Sequence, residues 1–264
     1  MKLNLNTNQN HSMSVVKLKK YVLPALLGLS VLLMPHAASA ASGTSRKLNK
    51  HAKSVTTPVA WGASRGVVFM GIGGTLPAPY RNIPDGAAVF GIGVGDPVKN
   101  VGIQVGITSL DVTEWKEYAL GFKLHKRLSE TSAIAVGGKH IMLTEGGDAD
   151  PSYYAVYSKG FPGESDVHFS IGVGNGRYSD KSPADFYSGK GRHGTYVFGN
   201  VSYEVFDACN IIVDWNGLNL NAGIGKTFTV FNMPVSTIVG LADLTDYSGD
   251  RIRLVVGVGT AFKL

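Results

Sequence analysis

Cysteine is nearly absent: Cys209 stands alone in 264 residues, so no internal disulfide can form. A chain of this size without a covalent staple is held either by a large core or by a sheet whose hydrogen bonds all close on themselves. Long apolar runs are also missing. Beyond residue 40 no segment approaches 18 consecutive apolar residues, which excludes a transmembrane helix there. Acids are absent from the first 63 residues, and that distorts the formal charge of +6. Setting aside the four lysines of residues 1–40 leaves 21 basic residues against 19 acids. Setting aside Arg46, Lys47, Lys50 and Lys53 as well leaves 17 against 19 for residues 64–264. No broad basic surface remains, which argues against nucleic acid as a partner.

What is present begins with an export signal over residues 1–40. Lys17, Lys19 and Lys20 form a positive region, Tyr21 to Met34 an apolar one, and Ala38-Ser39-Ala40 a small-residue cleavage site, so the mature chain is expected to start near Ala41. The apolar stretch is shorter than the roughly 20 residues a spanning helix needs. Residues 41–63 are basic, polar and aperiodic. We read them as a flexible periplasmic leader, in preference to a small plug inside a barrel.

From residue 64 onward the chain alternates. Val101, Ile103, Val105 and Ile107 interleave with Gly102, Gln104, Gly106 and Thr108; Val167, Phe169, Ile171 and Val173 interleave with His168, Ser170, Gly172 and Gly174. Leu218–Gly225 and Ile252–Gly259 repeat the pattern. A period of two marks strands with one apolar and one polar face. The polar face carries Gly, Ser, Asn, Thr and Gln where a soluble sheet would carry long charged side chains. An inward barrel wall, where side chains compete for limited space, explains so much strand glycine. The expectation is all-β: an antiparallel up-and-down transmembrane barrel over 64–264. Twelve strands are predicted, at 64–72, 87–95, 99–109, 116–127, 132–142, 152–160, 167–177, 194–206, 209–215, 218–228, 234–243 and 252–263.

The connections alternate in length, as barrels with long outer loops and short periplasmic turns require. Long segments at 75–86, 144–151, 178–193 and 245–250 alternate with short ones at 95–99, 129–131, 161–166, 207–208 and 229–233. Two outer connections, near 111–113 and at Asn216-Gly217, are short; the second is a tight hairpin signal. Trp115 and Trp215 fall at outer strand ends, and Phe206, Phe228 and Phe262 at inner ends, where aromatics suit the headgroup level.

The last residues, Gly259-Thr260-Ala261-Phe262-Lys263-Leu264, carry a glycine, an aromatic three positions on and a terminal apolar residue. This resembles the C-terminal insertion signal of outer-membrane β-barrel proteins, with Gly259, Phe262 and Leu264 as its elements, although that family usually ends in an aromatic. The resemblance implies the outer membrane as location. It implies outer-membrane lipid, lipopolysaccharide and the barrel assembly machinery as partners. The segment from Asp214 to Gly223 is similar to a hairpin of exopolysaccharide-linked outer-membrane barrels of the YjbH type; no function is carried over from it.

Strand parity turns Glu117, Lys123, Lys139, Glu204, Asp214 and Arg253 toward the lumen as candidate pore-lining residues. They are read either as a lining that selects solutes or as ion pairs bracing a nearly filled interior. His168 and Ser170 resemble the His-x-Ser pair of lipid-hydrolysing barrels, but their parity is inward, away from lipid, and we assign no catalytic residue. His125, His140, His168 and His193 lack metal-ligand spacing, and neither metal nor cofactor is expected. The acidic segment 145–150 is read as a solvated loop, with cation binding as its alternative. The expected function is a narrow pore for ions or small solutes, or a structural barrel. The alternatives are an envelope interaction protein acting through outer loops and leader, and, third, a lipid-modifying hydrolase.

Overall fold

The computed structural model describes residues 48–144 and 151–264. The expected export signal, residues 41–47 and the acidic segment 145–150 lie outside the described residues. Twelve strands follow in order: β1 (Val67–Leu76), β2 (Asp85–Gly95), β3 (Gly102–Asp111), β4 (Lys116–Ser129), β5 (Ser132–Met142), β6 (Ser152–Phe161), β7 (Val167–Gly174), β8 (Val197–Phe206), β9 (Cys209–Trp215), β10 (Leu220–Val230), β11 (Met233–Ala242) and β12 (Arg253–Lys263). Each pairs antiparallel with its sequence neighbours, and β1 pairs with β12, closing the sheet. The seam runs from Val67 opposite Lys263 to Leu76 opposite Leu254.

The strands form where the alternation places them, because only a two-residue period puts all apolar side chains on one side of a pleat. Boundaries move by up to four residues for local reasons. Gly66, at φ +77°, turns the chain into β1, so that strand starts later than the alternation alone suggests. Beyond β7 the chain tightens into a 3-10 turn, Gly176–Tyr178, which ends the strand early.

The outward residues are large, apolar and exposed: Ile72, Phe90, Ile107, Ile171, Val201 and Ile211 are representative. Water would not tolerate contiguous apolar patches around an entire cylinder. A closed sheet leaves no unpaired edge, which is what hydrocarbon demands of a backbone. The barrel is therefore transmembrane. The turns after β2, β4, β6, β8 and β10 gather at one end, which we call the turn end, and the chain enters β1 there. The loop end carries the longer connections, including a five-residue helix, α1 (Pro183–Tyr187), between β7 and β8.

Candidate functional site: the filled lumen and its vestibule

Residues 48–63 do not trail free of the barrel as the leader reading expected; they run inside it. The chain starts at the turn end, where Leu48 lies against Gly160, Asn49 N–H donates to Asp166 Oδ2 (3.2 Å) and Lys50 Nζ to Glu130 O (3.0 Å). It climbs past Asn210, whose Oδ1 accepts from Lys53 Nζ (2.6 Å). At its apex it closes on Asp214. Oδ2 accepts from Ser54 Oγ (3.1 Å) and from the backbone N–H groups of Val55 (2.9 Å), Thr56 (2.8 Å) and Thr57 (3.4 Å). Oδ1 accepts from Thr56 Oγ1 (3.0 Å) and Asn221 Nδ2 (2.7 Å). Successive backbone N–H groups converging on one oxygen make an anion cradle, and here they satisfy a carboxylate that is 1% exposed.

The chain then crosses the lumen and descends. Thr57 Oγ1 accepts from Asn200 Nδ2 (2.9 Å), Ala60 N–H donates to Ser158 Oγ (2.8 Å), and Trp61 Nε1 donates to His168 Nε2 (2.8 Å). Lys123 Nζ donates to the carbonyls of Val59 and Trp61 (2.9 Å each). Ala63 N–H donates to Gln104 Oε1 (2.9 Å), and Ala63 O accepts from His125 Nε2 (2.9 Å). The leader expectation misses the physical point: a polar strip with many backbone donors is what an inner wall of Asn, Ser, Asp and Lys needs to be satisfied.

The inward strand glycines make room for this strip. A Cβ on Gly225 would meet Ala52 O at 2.6 Å, one on Gly223 would meet Val55 at 3.0 Å, and one on Gly93 would meet the Ala63 carbonyl carbon at 2.4 Å. Ser54, Thr56, Trp61, Gln104 and Asn221 are the residues that sequence reasoning missed. The signal available was this density of inward glycine opposite an acid-free, polar segment.

The six lumen candidates separate. Lys123 and Asp214 both grip the inner strip. Glu204 sits at the turn end, where it accepts the Ala208 N–H (2.6 Å). Lys139 and Arg253 lie toward the loop end, Arg253 Nε donating to Asp243 Oδ2 (2.7 Å). Glu117 is at the rim, on a left-handed residue at φ +57°. At the seam, Gly259 lies opposite Gly71 and Phe262 opposite Val68, and Leu264 N–H donates to Gly66 O (2.8 Å). His168 and Ser170 are both occupied, the first by Trp61 and the second by Ser158 Oγ (2.7 Å), and the two are not bonded to each other.

Above the strip, three loops tie together over a vestibule of about 270 Å³. Thr56 lines it from the inner strip, and Tyr80, Arg177, Asp185, Asn219 and Arg253 from the barrel's loop end. Asp185 is the knot. Within α1 it completes a capping box with Ser182, and from the β11–β12 loop it accepts Ser248 Oγ (2.7 Å) and Gly249 N–H (2.9 Å). Burial pushes its carboxyl up, but hydrogen bonds from Tyr80, Ser248, Gly249 and Ser182 outweigh this and hold it below the usual carboxylate range. The same contact, together with burial, pushes the Tyr80 phenol up to about 12, burial being the larger cause. Lys190 pairs with Asp246 and donates to Gly249 O (2.8 Å), while Lys181 donates to Tyr247 O (2.7 Å) with its ammonium 3.6 Å from that ring's centre. Tyr80 N–H donates to Asp250 Oδ1 (3.0 Å), bringing in the β1–β2 loop.

No family model matches this chain, and no curated protein matches it. Among solved structures, it is similar to a triple mutant of Rh. blastica porin, with 14% identity and a TM-score of 0.32 over 67% of this chain and 55% of that one. The chain thus spans about half the length of that porin.

Proposed function

We propose that this chain is an outer-membrane β-barrel whose narrow conduit for ions or small solutes is held shut at rest by residues 48–63. The Asp214 cradle carries the reading: five donors from four consecutive residues of the strip meet one carboxylate on the wall. Of the strip's anchors Asp214 gathers the most donors, so it is the group whose loss should loosen the strip most. The expected export signal and the resemblance of Gly259, Phe262 and Leu264 to an insertion signal support the outer membrane, with loops outward and turns periplasmic. The interaction alternative now rests on the loops, because 48–63 are engaged inside.

Planar-bilayer recording tests the conduit. The parent should give rare, small conductance steps, and Asp214→Ala should open more often or more widely. Silence from both proteins would end the channel reading.

A further inference from the structure

The three carboxylates lining the vestibule are already engaged. Asp243 is paired with Arg253 (2.7 Å). Asp185 holds Ser248 and Gly249, and Asp180 accepts the Ser179 hydroxyl (2.7 Å) and lies 3.4 Å from His193. The cations toward the β4–β6 wall are not balanced in this way. Lys123 gives its ammonium to two carbonyls, which carry no net charge. Lys139 faces the lumen two residues beyond Gly137, the cross-strand partner of Lys123. Its cross-strand partner Ser152 accepts the Arg177 N–H (3.0 Å), and among the described residues Lys139 has no ion pair. The Arg177 guanidinium has a single 3.5 Å contact with His140 Nε2 and lines the vestibule. Glu117, at the rim of β4, pairs with none of the three.

A second observation falls at the same place. The Tyr178 side chain is 1% exposed, its hydroxyl has no hydrogen-bond partner among the described residues, and the residue lines the vestibule beside Arg177. Its ring packs against Tyr154, which stands over Gly137. A buried hydroxyl with no hydrogen-bond partner and a run of cations with no ion pair among the described residues are each costly, and an oxyanion relieves both.

We propose that Lys139, Arg177 and Lys123, with the Tyr178 hydroxyl, form a site for a small solute bearing a carboxylate or phosphate, reached through the vestibule. This deepens the conduit reading by naming the solute as anionic, and it rests on that reading for its part in passage. The vestibule that leads to it is lined by Arg177 and Tyr178 but not by Lys139 or Lys123, and at about 270 Å³ it lies just below the ~300–1,000 Å³ of ordinary ligand pockets. That suits an ion or a single sugar acid rather than a chain.

Calorimetric titration of the full protein in detergent at low ionic strength tests the site, using inorganic phosphate and glucuronate as probes and glucose as the uncharged control. At least one anion should bind and glucose should not; which anion binds identifies the natural source of the charge. Lys139→Gln should weaken binding about tenfold, the weight of one charge-assisted hydrogen bond. Because that change removes an unpaired charge, the Tm should not fall. Arg177→Gln, outside the strands, is the second variant and should weaken binding similarly. Absence of binding by either anion, or binding that both variants leave unchanged, overturns the proposal. Calorimetry needs no open conduit. A barrel silent in bilayers that binds phosphate keeps the site and loses the conduit, and a conducting barrel that binds neither anion does the reverse.

Discussion

Asp214 concentrates more of the interior's hydrogen bonding than any other carboxylate described above. Replacing it by alanine takes the acceptor from the N–H groups of Val55 and Thr56, at up to about 1–3 kcal/mol for each donor left unsatisfied. The penalty falls on the inner strip, because the β9 backbone keeps its own pairing with β8 and β10. Lys53 reports the result: it is 2% exposed beside Asn210. In Asp214→Ala, trypsin should cut after Lys53 at least tenfold faster than in the parent, while the barrel fragment stays intact on a gel. Equal cutting rates would mean that Asp214 does not hold the strip. Asp214→Asn keeps one acceptor oxygen and should fall between the two.

At the scale of elements, the loops form a cap whose charges set its pH range. The Asp185 carboxyl is held below its ordinary range, so its contribution is present at neutral pH and is lost as pH falls through that depressed value. The Tyr80 phenol is raised to about 12, so its contribution is complete below the ordinary phenol value near 10 and is lost as pH rises through about 12. The Gly249 N–H, which donates to Asp185, should therefore stay protected from hydrogen exchange between pH 8 and 5, after correction for the intrinsic rate, and lose protection only in stronger acid. Loss already at pH 5 would contradict this, and a late tyrosinate absorbance step, absent in Tyr80→Phe, checks the alkaline side. The strands were legible from residues such as Ile103, Val105 and Ile107, because lipid on one side and a crowded interior on the other impose alternation on every strand. The inner strip was not. Ser54, Val55, Thr56 and Thr57 have no period, and their partners come from strands more than 140 residues away, so composition alone made them look solvated. Which of the lumen candidates would meet the strip, Lys123 and Asp214, was not legible, since that depends on its path.

The barrel is a closed sheet whose exterior is apolar and whose hydrogen bonds close at the β1–β12 seam. Such a body has no water-soluble form. The protein should require detergent or lipid to stay monomeric, and in SDS without heating it should migrate faster than the boiled chain, because the closed sheet resists unfolding. Monomeric solubility in plain buffer would rule out the transmembrane reading.

The path of residues 48–65 has a mechanical consequence. Leu48 lies beside Gly160 and Arg65 donates to Gly95 O, both at the turn end, so the strip goes in and comes out through one mouth, like the bight of a rope pushed into a pipe. Nothing has to be threaded when the seam seals, and nothing has to be unthreaded later. A pull applied at the turn end ahead of Leu48 would meet the anchors in series, Lys50 first, then Lys53, then Asp214.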